Sequence, residues 1–475
     1  MNDATITALA TPPGKGGIGI IKISGKDALS IAKSIFVKKQ RKNLSEKKDQ
    51  KKTFSNKEWH FESHKLYLGN IINEKKGKNI DEVLLSVMKA PNSYTREDVV
   101  EINAHSGQIA LNEILKLVIE KGARLAQPGE FTKRAFINGR IDLTQAEAVI
   151  DIINARTEKS LEIANSQING KLKNCISLIR DSLINILAGI DAGIDFPDEI
   201  GEDLNKDEIK NRINNEAVKP LLELLENYKK GHVFKEGIRL VVAGKPNVGK
   251  SSLMNRMANK ERVIVTSVPG TTRDVIEETI NINGIPVIIS DTAGLHDSND
   301  PIEIMGIKKA YEHINVSDIV LFMIDASKKL TKEDYKIKND FKYKEMIIVI
   351  NKIDLVEDDF DVEMPERWKK TKKVKISALY EKGIDELKKM IENAYAGDFG
   401  GNILNKTIPN LRHKIKIETC LKKILRAKRS IENETPFELI AIDIKEAIDS
   451  LEEISGVSVK EEILDKIFSR FCIGK

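Results

Sequence analysis

Cysteine is nearly missing from this chain of 475 residues, which has three, at Cys175, Cys420 and Cys472. Scattered so widely, they make neither a disulfide framework nor a paired metal-ligand spacing. Long apolar runs are missing as well. No stretch approaches the roughly 18 uninterrupted apolar residues that a membrane helix needs, so no membrane association is expected. The opening MNDATITALATPP has no basic segment ahead of an apolar run, unlike a secretory signal. Together these absences lead to the expectation of a cytoplasmic protein. Nor is there a strong charge of one sign: a net +5 permits contact with nucleic acid without demanding it.

What is present is ordinary for a folded protein, with 41% hydrophobic and 31% charged residues. The length is too great for one core, and about three domains are expected. The richest basic run, Lys38 to Lys57, reads as a solvated loop, because like charges repel and no aromatic stabilises the run from within before Trp59 except Phe54. Up to about residue 125, short apolar runs alternate with turns. Strands are expected near 16–23, 83–88 and 99–102, with helices over 28–36 and 108–121. This predicts a small α+β domain. From 131 to 228 the period becomes helical almost throughout, with a break at Gly193-Ile194-Asp195-Phe196-Pro197. An α/β alternation then runs from 239 to about 395, and helical period returns after Pro409. The expected architecture is multi-domain α/β and α: a helical domain in two segments, with the α/β domain inserted between them.

The chemistry is concentrated in that insert. The β-branched run Leu240-Val241-Val242-Ala243 precedes Gly244-Lys245-Pro246-Asn247-Val248-Gly249-Lys250-Ser251, and a helix starting at Ser252 is expected to follow. Glycines let backbone N–H groups curl around phosphate oxygens where side chains would collide. Lys250 offers a point charge to the β- and γ-phosphates, and the Ser251 hydroxyl a ligand to Mg²⁺. Asp291-Thr292-Ala293-Gly294 closes the run Val287-Ile288-Ile289-Ser290 and would place a carboxylate near Mg²⁺ and a flexible glycine beside the γ-phosphate. Asn351-Lys352-Ile353-Asp354 ends another apolar run. Asp354 can accept from the guanine N1–H and exocyclic amine, a donor pair that adenine lacks. Ser377-Ala378-Leu379 offers backbone donors to the guanine O6. Three such motifs at strand ends, in this order, predict GTP. Between the phosphate loop and Asp291 lies Thr266-Ser267-Val268-Pro269-Gly270-Thr271-Thr272, a switch loop in which Thr272 would complete the Mg²⁺ shell. Asn283-Gly284 predicts a hairpin, and one antiparallel hairpin in an otherwise parallel sheet is the mark of a Ras-like P-loop G domain. Leu295, after the DTAG motif, cannot orient water as a glutamine would, so hydrolysis must use other groups.

Asn247, the Pro-Gly-Thr-Thr-Arg-Asp switch and the apolar residue after DTAG together resemble the potassium-activated GTPases. Within that class the chain resembles the MnmE (TrmE) family of tRNA-modification GTPases. The segments ATPPGKGGIGIIKISG and PNSYTREDVVEINAHSG resemble that family's tetrahydrofolate-binding domain. PGEFTKRAFINGRIDLTQAEAV resembles the start of its helical domain, and Phe471-Cys472-Ile473-Gly474-Lys475 its C-terminal signature. Only the basic loop near 38–57 looks like an insertion.

The resemblance implies an N-terminal folate-binding and dimerisation domain over 1–125, helical segments over 126–236 and 399–475, and a G domain over 237–398. It implies K⁺ held by Asn247, Thr266, Val268 and Thr271, offsetting charge that an arginine finger would otherwise meet. It implies G-domain association during turnover and a water-orienting Glu303. Lys22, Glu97, Arg140 and Lys475 would contact a 5,10-methylene-tetrahydrofolate, with 5-formyl-tetrahydrofolate as its analogue. The implied partners are a second copy of the chain, an MnmG-type FAD protein in a heterotetramer, and tRNA modified at C5 of the wobble uridine. Cys472 is either a catalytic thiol beside the folate or a spectator, and the CIGK end fits a prenylation box badly. Two other functions compete: a ribosome-assembly GTPase with the same loop and switch, and a GTP-binding switch that only recruits a partner.

Overall fold

The computed structural model describes residues 4–12, 14, 16–39, 60–196, 205–261, 278–290, 317–341, 343–357, 362–395 and 406–475. Among them, no helix is long and apolar enough to cross a membrane. The chain divides into two compact units, the first made of 1–150 and 455–475 and the second of most of 151–454.

The first unit is built on a seven-stranded sheet. Its strands are β1 (Ile6–Leu9), β2 (Ile18–Ser24), β3 (Phe36–Lys38), β4 (Lys65–Asn73), β5 (Lys78–Met88), β6 (Val99–His105) and β7 (Arg124–Leu125). They lie in the order β3-β4-β5-β6-β2-β1-β7, antiparallel except where β1 meets β7. Period-2 alternation sends Ile21, Ile23, Val83, Leu85, Val87, Ile102 and Ala104 to one face. Helices Ala28–Ile35 and Gln108–Glu120 cover that face with Ile31, Ile35, Ile114 and Val118, closing a single core. Sequence reasoning anticipated β2, β5, β6 and both helices but not β4, whose outer residues Leu66 and Leu68 are apolar yet exposed and blur the alternation. A second, smaller core in this unit joins Leu143 and Ala146 to Phe468 and Phe471, so residues from near the chain's end pack on those that follow the sheet.

The second unit carries a six-stranded sheet. It comprises β8 (Ile238–Ala243), β9 (Glu278–Ile282), β10 (Ile285–Ser290), β11 (Ile319–Asp325), β12 (Glu345–Asn351) and β13 (Lys372–Lys375). The order is β13-β12-β11-β8-β10-β9, parallel except for the β9–β10 hairpin. That hairpin turns on Asn283 and Gly284, both at positive φ. Every residue of β11 is buried, as expected of a strand covered on both faces. Helices Lys250–Glu261, Lys332–Asp340 and Ile384–Tyr395 flank the sheet.

The rest of this unit is helical. Lys171–Asp195, Lys219–Glu236, Leu411–Glu432 and Phe437–Ser455 are its long helices. Leu172, Ile176, Ile179, Leu183 and Ile186 of the first share one core with Ile417, Ile424, Ile440 and Ile444 from beyond the α/β insert. The helical domain is therefore discontinuous in sequence and continuous in space. Cys420 lies within this core, where burial pushes its thiol up to about 12 and keeps it from ionising.

Candidate functional site

The loop that follows β8 is shaped by what it cannot accommodate. A Cβ on Gly244 would stand 2.5 Å from the Met323 carbonyl oxygen, and one on Gly249 would stand 2.2 Å from the Asn351 amide nitrogen. Both glycines also have positive φ, and Asn247 adopts the left-handed region with φ 61. The loop is a backbone cradle pressed against β11 and β12, as a phosphate-binding turn requires. Lys250, at the start of the next helix, donates to the carbonyls of Gly244 at 2.7 Å and Lys245 at 2.9 Å. Its ammonium therefore stays inside the cradle. Ser251 and Ser252 are exposed at that helix's first turn. Lys245 is fixed from the other side by Asp334 at 2.7 Å and the Thr331 hydroxyl at 3.1 Å. Sequence reasoning missed that tie, because Asp334 reads locally as part of a helix-capping box.

Asn351 joins this cradle to a second loop. Its amide donates to the Val248 carbonyl at 2.8 Å, and its side-chain oxygen accepts from the Ala378 N–H at 3.0 Å. The Ser377 hydroxyl donates to Asp354 at 2.5 Å, and Lys352 is paired with Asp325 at 2.8 Å. Arg256 bonds the Leu379 carbonyl at 3.1 Å and Glu381 at 3.0 Å. Thus Val248, Gly249, Lys250, Asn351, Lys352, Asp354, Ser377, Ala378 and Leu379 gather at the carboxyl ends of β8, β11 and β12, where open α/β sheets bind ligands. Thr266, Ser267, Val268, Pro269, Gly270, Thr271, Thr272, Asp291, Thr292, Ala293, Gly294 and Glu303 lie outside the described residues.

In the first unit, Tyr94 is the centre of a second cluster. Lys22 lies 5.4 Å from the Tyr94 ring and 5.5 Å from that of Phe131. The Arg140 guanidinium lies over the same Tyr94 ring, 4.7 Å from its centroid, and donates to the Tyr94 carbonyl at 3.2 Å. Burial raises the Tyr94 phenol, against the opposing pull of Thr132 and Arg140. Glu97 accepts two bonds from one Arg134 nitrogen, both at 3.0 Å, and one from Ser24 at 2.7 Å. Arg134 also bonds Glu130 and the Ala4 carbonyl. A main-chain oxygen of Lys475 accepts from the Phe131 N–H at 3.2 Å, which brings Lys475 to this cluster. Cys472 is exposed there. Tyr94 and Arg134 were not foreseen, since each acts through residues distant in sequence.

A P-loop next to a base-reading loop on this sheet defines a guanine-nucleotide-binding G domain. Comparison with known proteins extends the definition to the whole chain. Residues 143–472 match the family model of the MnmE helical domain, and residues 5–140 that of the GTP-binding protein TrmE N-terminus. The tRNA modification GTPase MnmE of Carboxydothermus hydrogenoformans is 44% identical, covering 100% of both chains. That of Acetivibrio thermocellus is also 44% identical, over 99% of each. That of Clostridioides difficile is 42% identical, over 100% of this chain and 99% of its own. The chain belongs to the MnmE family of tRNA modification GTPases, and is a GTP hydrolase acting in tRNA modification.

Proposed function

We propose that this GTPase couples K⁺-dependent GTP hydrolysis to the installation of an aminomethyl or carboxymethylaminomethyl group at C5 of the wobble uridine of certain tRNAs. It would do so in the cytoplasm, as a homodimer joined to an MnmG-type FAD protein. The reading divides the chain into a folate-binding and dimerisation domain over 1–125, helical segments over 126–236 and 399–475, and a G domain over 237–398. The observation that supports the nucleotide part most directly is the pair of hydrogen bonds by which the Asn351 side chain donates to Val248 and accepts from Ala378, tying phosphate cradle to base loop.

In this reading Lys250 and the loop N–H groups hold the phosphates, and Asp354 with Ser377 reads the guanine edge. The loop suits phosphates because Gly244 and Gly249, at positive φ and pressed against Met323 and Asn351, allow the tight turn in which backbone N–H groups can face phosphate oxygens. Ser251, with Thr272, would hold Mg²⁺. Asn247, with Thr266, Val268 and Thr271, would hold K⁺, whose charge helps stabilise negative charge growing on the phosphates. Glu303 orients the attacking water. Lys22, Arg140 and Lys475 supply cationic groups for the glutamate tail and carbonyls of a methylene-tetrahydrofolate, and Glu97 an acceptor for its pterin ring. Their clustering on Tyr94 and Phe131 suits a flat ring with an anionic tail.

The deciding experiment is GTP turnover by the purified chain in K⁺ and in Na⁺ at equal ionic strength. A large K⁺-specific increase is expected. Equal rates would overturn the potassium mechanism and favour a switch that binds GTP only to recruit a partner.

A further inference from the structure

We propose that Asp325 is a positioning residue for guanine-nucleotide binding, acting through Lys352; the proposal rests on the nucleotide reading above. Asp325 is the last residue of β11 and lies in register with Asn351 of β12. Its side chain is only 4% exposed. One carboxylate oxygen accepts from the Ser327 N–H at 3.0 Å and the Ser327 hydroxyl at 2.7 Å. The other faces the Lys352 ammonium at 2.8 Å, with Lys328 more distant at 3.9 Å. Burial alone would raise this carboxyl, but the Lys352 and Ser327 contacts outweigh it and hold the group below its usual range. The carboxylate is thus anchored at one oxygen and aimed at Lys352 with the other.

What that does to Lys352 follows from where Lys352 stands. It sits between Asn351, bound to the phosphate cradle, and Asp354, bound to Ser377 of the base loop. Its φ of 66 turns the chain sharply at that point. A lysine on such a turn has many rotamers, and a ligand that rests on it must remove them. Pinning the ammonium at Asp325 removes them beforehand. It leaves the aliphatic stem as a fixed apolar strip beside the base-reading aspartate, suited to one face of a purine. Asp325 would therefore strengthen nucleotide binding without touching nucleotide. Asp354 would still decide which base is taken.

The test is a double-mutant cycle on the full chain, with GDP affinity read by calorimetry. Asp325→Asn keeps an acceptor for Ser327 but loses the charge that holds Lys352. Lys352→Met keeps the stem and removes the ammonium. Asp325→Asn is expected to weaken GDP about tenfold, the lower end for a charge-assisted bond to a part-exposed partner. In the Lys352→Met background the same change should add nothing. IDP, which lacks the exocyclic amine, should lose the same factor as GDP if Asp354 is undisturbed. Wild-type affinity in Asp325→Asn, or effects that multiply in the double variant, would overturn the proposal. Should Asp325→Asn fail to fold, Ser327→Ala loosens the same carboxylate, and its effect on GDP should likewise vanish in the Lys352→Met background. A wild-type chain that binds no GDP would instead overturn the nucleotide reading on which the proposal stands.

Discussion

The amide nitrogen of Asn351 lies 2.2 Å from where a Cβ on Gly249 would stand. Two motifs separated by about a hundred residues are therefore fitted to each other, and the glycine is needed for space as well as for its φ of 102. Replacing Gly249 by alanine would push Asn351 away and break its bonds to Val248 and Ala378 together. We expect Gly249→Ala to lose GDP affinity by at least about a hundredfold, the loss of two buried hydrogen bonds with added strain. Calorimetric titration with GDP checks this, and an unchanged affinity would refute the cradle as drawn.

Asp354 accepts from Ser377 at one oxygen, which leaves its carboxylate directed by the base loop. Asp354→Asn keeps an acceptor for Ser377 but replaces part of the acceptor edge with a donor. Guanine's N1–H and amine would then meet an N–H, whereas xanthine presents a carbonyl at that position. The expected outcome is a fall in GTP turnover of at least about a hundredfold and a gain with XTP, the usual size when buried polar groups are mismatched. Competition between the two nucleotides measures it.

The cradle and base loop were legible because their information is local. Gly244, Gly249 and the Asn283-Gly284 pair announce backbone conformations that few other residues adopt. The apolar runs that hold Ile21, Ile23, Val83, Leu85 and Val87 likewise marked β2 and β5 as strands. What escaped is long-range. Arg134 reaches Ala4, and Lys245 reaches Asp334, and neither partner is marked by spacing or composition. Asp325 reads as an ordinary strand end until its register with Asn351 is known. β4 escaped for a different reason, since exposed Leu66 and Leu68 hide its two-residue period.

Glu130 makes stability in the first unit depend on pH. It pairs with Arg124 at 2.6 Å and Arg134 at 3.1 Å. Burial pushes its carboxyl up, but Arg124, the Gln127 N–H and Arg134 outweigh that and hold it below the usual carboxylate range. A group depressed on folding stabilises above its unfolded pKa, and the contribution is lost as pH falls through the folded value. Glu130→Gln should therefore cost roughly 2–3 kcal/mol at pH 7, typical of a charged hydrogen-bond network. The difference from wild type should shrink as pH is lowered below about 4, near the unfolded carboxylate pKa. Urea denaturation at pH 7, 5 and 3.5 tests the sign, and a gap that widens in acid would contradict it.

In sequence the β9–β10 hairpin lies between the stretch read as the switch loop and the DTAG motif, and residues around the start of helix Glu158–Ile168 grip it. Thr157 accepts from the Ser160 N–H as the helix cap while its hydroxyl donates to the Gly284 carbonyl at 2.8 Å. Lys159 donates to the Asn283 carbonyl at 2.7 Å, and Arg156 to the Thr279 hydroxyl at 2.8 Å. Below them Ile163 enters the same core as Ile280, Ile282 and Ile285. Gly284 has φ 91, and a Cβ there would stand 2.2 Å from Lys159 Cδ. Thr157→Val, close in shape, removes both the cap and the bond to the turn, and should destabilise this unit by about 1–2 kcal/mol. Gly284→Ala adds a side chain at a strained φ and displaces Lys159, for a cost of about 1–3 kcal/mol. Because both changes act on the same few contacts, the double variant should lose less than the sum of the two. Urea midpoints for the three variants give that comparison, and strict additivity would show that the hairpin and helix start are held independently.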